Sequence, residues 1–124
     1  MIFIILVKEI GMAQHIVTTL ERMGLDHYSV TTSLKKVKDL VRQKVVNCIM
    51  FDMDFCTGEY QPFLKHFGDS YINFVPLKQS WNADEMIAAN NAGMSDILTY
   101  DCSEEHLGKC IASINYIEKD GQVS

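Results

Sequence analysis

The run VVNCIMF (45–51), closed by Asp52, decides how this chain folds. It is apolar at almost every position. It lacks the alternation of a strand with one face in water, so both of its faces must be covered. IFIILV (2–7) has the same character. Shorter β-branched or apolar runs lie at HYSV (27–30), INFVPL (72–77) and DILTY (96–100).

Working outward from these runs, the intervening segments carry helical spacing. Ala13, Ile16, Val17, Leu20 and Met23 share one face, with Gly24 as a C-cap. Leu34, Val37, Leu40 and Val41 repeat the pattern behind Thr32 or Ser33 as N-cap. A short helix is expected over 59–67. A fourth opens on the capping-box pair Asn82 and Glu85 and runs through Met86, Ile87, Ala89 and Ala92 to Gly93. A fifth starts at Ser103 and carries Leu107, Cys110, Ile111, Ile114 and Ile117. Strands and helices in strict alternation predict an α/β protein. Right-handed crossovers make it a doubly wound five-stranded parallel sheet, ordered 2-1-3-4-5, in a three-layer αβα stack.

A chain of 124 residues fits one domain; the reading gives it 1–118, with 119–124 as a tail or the start of a linker. A net charge of −5 argues against direct nucleic-acid binding, which needs clustered Lys and Arg. The one basic group, Lys35, Lys36, Lys38, Arg42 and Lys44, reads as a solvated helix face. The first apolar run is too short for a signal peptide and has no basic residue before it, and no stretch approaches the ~20 apolar residues of a membrane span. A cytoplasmic protein with reduced thiols is expected. Cys48 and Cys110 are read as small core residues, and the cysteines show no spacing typical of zinc ligands.

In such sheets chemistry collects at the carboxyl ends of the strands. That points to Lys8–Gly11, Asp52–Gly58, Lys78–Trp81 and Tyr100–Cys102. Asp52 is placed there as a nucleophile or metal ligand, or as a plain loop cap. Asp54 adds a second carboxylate two residues on, a spacing found in aspartyl phosphotransferases, but their companion motifs are absent. His15, His27, His66 and His106 are scattered and read as surface or boundary residues, and no phosphate-binding glycine motif is present. Trp81 is read either as an exposed anchor for a partner or as packed over the fourth helix.

The strand NCIMFD (47–52) is similar to the one that delivers the phosphoacceptor aspartate in response-regulator receiver domains. NAGMSDILT (91–99) resembles that family's AGAxDYL segment, and SEEHL (103–107) the start of its last helix. The resemblance spans the whole chain in element order, and it implies the flavodoxin-like, CheY-like fold and a bacterial two-component context. It fails at the pocket. Where the family carries two Mg²⁺-holding acids after strand 1, this chain has Lys8 and Glu9. Where it has a Thr or Ser after strand 4, this chain has Lys78. Where it has Lys-Pro after strand 5, this chain has Tyr100 and Asp101. The aromatic switch position falls on Ile97, and Gly58 closes a shortened loop. Counting Asp52 and Glu9 against Lys8 and Lys78, the pocket is formally neutral before any metal arrives.

The expectation is therefore a degenerate, non-enzymatic pseudo-receiver in signal transduction. It would have no cofactor, with an ion pair from Lys78 or Lys8 to Asp52 replacing the metal. The resemblance implies a protein partner or homodimer through helix 4, strand 5 and helix 5, on a face including Asn90, Asn91, Met94, Ile97, Tyr100 and Glu104. The alternative is a phosphoaccepting, Mg²⁺-dependent receiver using Asp52, as the regulatory part of a transcription regulator.

Overall fold

The apolar runs pair side by side as a parallel sheet. In the computed structural model, which describes residues 2–57, 59–68 and 71–123 with side chains as far as Ile114, the strands are β1 (Phe3–Leu6), β2 (Tyr28–Thr31), β3 (Cys48–Asp52), β4 (Asn73–Lys78) and β5 (Leu98–Thr99). Their order is 2-1-3-4-5 and every pairing is parallel. The helices are α1 (Gln14–Arg22), α2 (Leu34–Gln43), α3 (Tyr60–Leu64), α4 (Ala83–Asn91) and α5 (Glu104–Val123).

Alternate strand residues point to opposite faces, which splits the core in two. Phe3, Ile5, Met50 and Leu77 pack with Ile16 and Leu20 of α1 and with Leu107, Cys110 and Ile114 of α5. Ile4, Leu6, Ile49 and Phe51 pack on the other side with Val37 of α2, Phe63 of α3 and Ala89 of α4. This double burial is why the sequence of β1 and β3 shows no polar alternation. Each fully buried Ile, Leu or Phe contributes roughly 1.5–3 kcal/mol.

Local signals end the elements where expected. Ser33 caps α2, its Oγ accepting the Lys36 amide at 3.2 Å. The Asn82–Glu85 capping box opens α4, and Gly93 follows it at φ 84°, a conformation that costs glycine nothing. The third helix is shorter than expected: α3 passes into a 3-10 turn at Lys65–Phe67. Strand β5 shrinks from 96–100 to two residues, because the Asp96 carboxylate turns back onto the Ile97 amide at 2.8 Å and takes that segment out of the ladder.

Helix α5 runs on through 119–123, which the sequence reading assigns to a tail. Gly58 lies outside the described residues, as does the side chain of Ile117. All four cysteines are buried thiols. Cys48 and Cys110 sit in the core as expected, and burial pushes the Cys56 and Cys110 thiols up to about 12. Among the described residues no helix is long and apolar enough to cross a membrane.

Candidate functional site: the cleft at the carboxyl edge of the sheet

Strand β3 ends on Asp52, whose residue surface is 5% exposed although its side chain is a carboxylate. Such a group needs partners, and two are present. Its Oδ1 accepts the backbone amide of Asp54 at 2.8 Å, and its Oδ2 accepts the hydroxyl of Tyr100. Tyr100 arrives there because Lys78 and Thr99 are in register on β4 and β5, and the Tyr100 amide then donates to the Lys78 carbonyl at 3.2 Å. Burial, and then the bond to Asp52, holds the Tyr100 phenol well above its ordinary range, so it stays a proton donor.

The expected ion pair between Asp52 and a lysine does not form. Lys8 pairs with Asp54 instead, both side chains being more than half exposed. That bond, with the Asp54 charge, raises the Lys8 ammonium's proton affinity. Lys78 pairs with Glu85 and lies 5.5 Å from the centre of the Trp81 ring. The physical reason is desolvation. An ammonium beside Asp52 would have to leave water, whereas the neutral Tyr100 hydroxyl satisfies the carboxylate without burying a second charge.

A cleft of about 350 Å³ opens over these groups, lined by Lys8, Asp52, Asp54, Lys78, Glu85 and Tyr100 among others. Three carboxylates face two ammoniums, so the lining carries a formal charge of 2 − 3 = −1, not the neutral sum obtained from Glu9. Glu9 stands at the N-cap position of the 3-10 turn Ile10–Ala13, without a side-chain capping bond, and is not part of the lining, and neither is Asp101. Glu85 is the cleft residue that the sequence reading treated only as a cap. Its place at the third position of α4 was the available signal, since that turn rises from the same edge as Lys78.

The donor set does not suit Mg²⁺. Glu9, just after β1, lies outside the cleft, and the ammonium of Lys8 occupies the wall beside Asp54. Among the described residues no group of three or more His, Cys, Asp or Glu side chains is placed to hold a metal ion.

On the α4 side, Asn90, Asn91 and Glu104 are exposed, and Met94 and Ile97 are half-buried along a hollow of about 200 Å³. Met86 and Ile87 are also exposed there and were not assigned to this face from sequence. Tyr100, counted in both pocket and face, has its hydroxyl committed to Asp52. Trp81 is half-buried against the α4 side of the core, its indole N–H donating to the Leu98 carbonyl at 2.9 Å. It is therefore packed, not a free anchor. The histidines stay apart: His15 bonds the Cys102 carbonyl at 2.7 Å, and His106 lies 3.8 Å from Asp96.

No protein-family model and no curated protein sequence matches the chain. Solved structures do match in shape. A response regulator from Thermotoga maritima superposes with a TM-score of 0.70 at 13% identity, over 90% of this chain and 94% of that one. An orphan response regulator of H. pylori gives 0.68 at 18% identity, over 92% and 96%. An atypical orphan response regulator, whose structure is said to reveal a phosphorylation-independent regulatory mechanism, gives 0.67 at 18% identity, over 93% and 97%. At such identities the likeness is one of fold. With its strand order, its helices on both faces and its acidic strand end, the chain has the fold of response-regulator receiver domains.

Proposed function

We propose that this domain is a signalling receiver that works through protein–protein contact, and that Asp52 is not used for Mg²⁺-dependent phosphorylation. The observation that carries this reading is the Tyr100 hydroxyl on Asp52 Oδ2, at the place where the resemblance puts a lysine. A phosphoacceptor must present a free carboxylate oxygen in line with the phosphoryl donor. Here one oxygen holds Tyr100 and the other the Asp54 amide, and Lys8 removes Asp54 from any metal. The partner face of this reading is α4–β5–α5, with Met86 and Ile87 as its apolar contacts and Asn90, Asn91 and Glu104 as its polar ones.

The test is a Mg²⁺ titration with and without BeF₃⁻ or acetyl phosphate, followed by the emission of Trp81, the chain's single tryptophan. Silence, together with no hydroxylamine-labile phosphate on Asp52, supports the reading. A saturable Mg²⁺-dependent response overturns it and favours a phosphoaccepting receiver. That second reading has one observation behind it: Asp52 does end β3 under an open cleft.

A further inference from the structure

The corner between β4 and α4 is tied down more heavily than a surface loop needs. The indole N–H of Trp81 donates to the Leu98 carbonyl at 2.9 Å and so anchors the loop to β5, a strand of only two residues. Lys78, the last residue of β4, lies over the Trp81 ring at 5.5 Å, within cation–π range. The same ammonium pairs with Glu85. Glu85 divides its oxygens: Oε2 takes Lys78, while Oε1 accepts the Asn82 amide at 3.0 Å and Asn82 Oδ1 accepts the Glu85 amide at 2.8 Å. The end of β4, the loop, β5 and the first turn of α4 are thereby one linked unit. The Lys78 and Glu85 side chains are 30% and 34% exposed, so solvent screens the pair only in part.

We infer that Lys78, Trp81 and Glu85 form a clasp fixing α4 against β5, and that opening this clasp is a conformational switch separate from Asp52. None of the clasp's ion pairs or side-chain hydrogen bonds ends on Asp52 or on the Tyr100 hydroxyl. Loss of the Lys78 ammonium breaks the ion pair and the cation–π contact together. The Asn82–Glu85 capping box survives that loss, so α4 stays helical and only its seating is released. Met86 and Ile87 follow Glu85 directly and are exposed, so a change in the clasp moves apolar surface that a partner would read.

Four single variants test this by amide hydrogen exchange over residues 79–86 and by the Trp81 emission maximum. Glu85→Gln keeps an acceptor for the Asn82 amide and removes only the charge. Lys78→Met removes the ion pair and the cation–π contact. Asp84→Asn controls for losing a carboxylate in the same helical turn, and Lys8→Gln, which removes the exposed pair with Asp54, controls for the cleft. Glu85→Gln and Lys78→Met are expected to speed exchange at 79–86 by roughly three- to fivefold, the scale of a lost partly exposed ion pair. Lys78→Met also shifts the Trp81 emission, while Asp84→Asn and Lys8→Gln leave these amides near wild-type rates. Unchanged exchange in both clasp variants overturns the inference, as does equal loosening by Lys8→Gln. Should Lys78→Met not fold, Glu85→Gln decides on the same exchange criterion.

Discussion

The hydroxyl of Tyr100 donates to the carboxylate of Asp52 across 48 positions of sequence, joining the end of β5 to the end of β3 with β4 between them. The bond gives a buried carboxylate a neutral partner. Under the function proposed above, the same contact also holds the oxygen that phosphoryl chemistry would need.

Removing that hydroxyl should be felt in the fold. Tyr100→Phe leaves Asp52 Oδ2 without its donor in a place water reaches poorly, a loss of about 1–3 kcal/mol. Thermal unfolding followed by circular dichroism should show the melting temperature several degrees lower. A melt identical to the wild type would mean that the bond contributes nothing.

Alkaline pH should destabilise the domain. Burial holds the Tyr100 phenol above its ordinary range and pushes the Cys56 and Cys110 thiols up to about 12. The unfolded chain releases these protons first, near pH ~9 for the thiols and ~10 for the phenol. It then binds fewer protons than the folded state, and stability falls as pH rises. Urea midpoints should be level from about pH 6 to 8 and should decline from about pH 9 upward, less steeply in Cys110→Ala and Tyr100→Phe. A midpoint that stays level to pH ~11 would contradict this assignment.

Installing receiver-type groups around Asp52 should create metal-dependent chemistry. The triple variant Lys8→Asp, Lys78→Thr, Tyr100→Lys supplies an acid, a hydroxyl and an ammonium of the kinds that the receiver pattern places around its aspartate. It should show a saturable Mg²⁺- and BeF₃⁻-dependent change in Trp81 emission where the wild type is expected to show none. A folded but silent variant would place the block elsewhere, in the short turn after Asp52.

The aromatic cluster on the α4 side should matter more than any surface group. Phe51 stacks on Phe63 with ring centres 4.5 Å apart, and both are buried. Phe51→Ala opens a cavity beneath α3 and should lower unfolding free energy by about 3–5 kcal/mol. Chemical denaturation at constant m-value measures it; a loss under about 1 kcal/mol would show that the site collapses around the gap.

The sheet order, the helices on both faces and the position of Asp52 were legible in the chain because hydrophobic periodicity and capping are local signals. Ser33, Asn82, Glu85 and Gly93 act within one turn of themselves, and the unbroken apolar runs of β1 and β3 report their own double burial. The length of β5 was less legible, since Asp96 ends it through a bond to its own neighbour that competes with the ladder.

What the sequence alone determined, then, is the fold and the place of one aspartate at the end of β3. Only the tertiary structure decided which group answers Asp52. Lys8, Lys78 and Tyr100 all reach the same cleft, and charge counting favours a lysine. Packing decides otherwise, because Asp54 and Glu85 offer the ammoniums partners nearer to water, while the buried Asp52 is satisfied at lower desolvation cost by a neutral phenol.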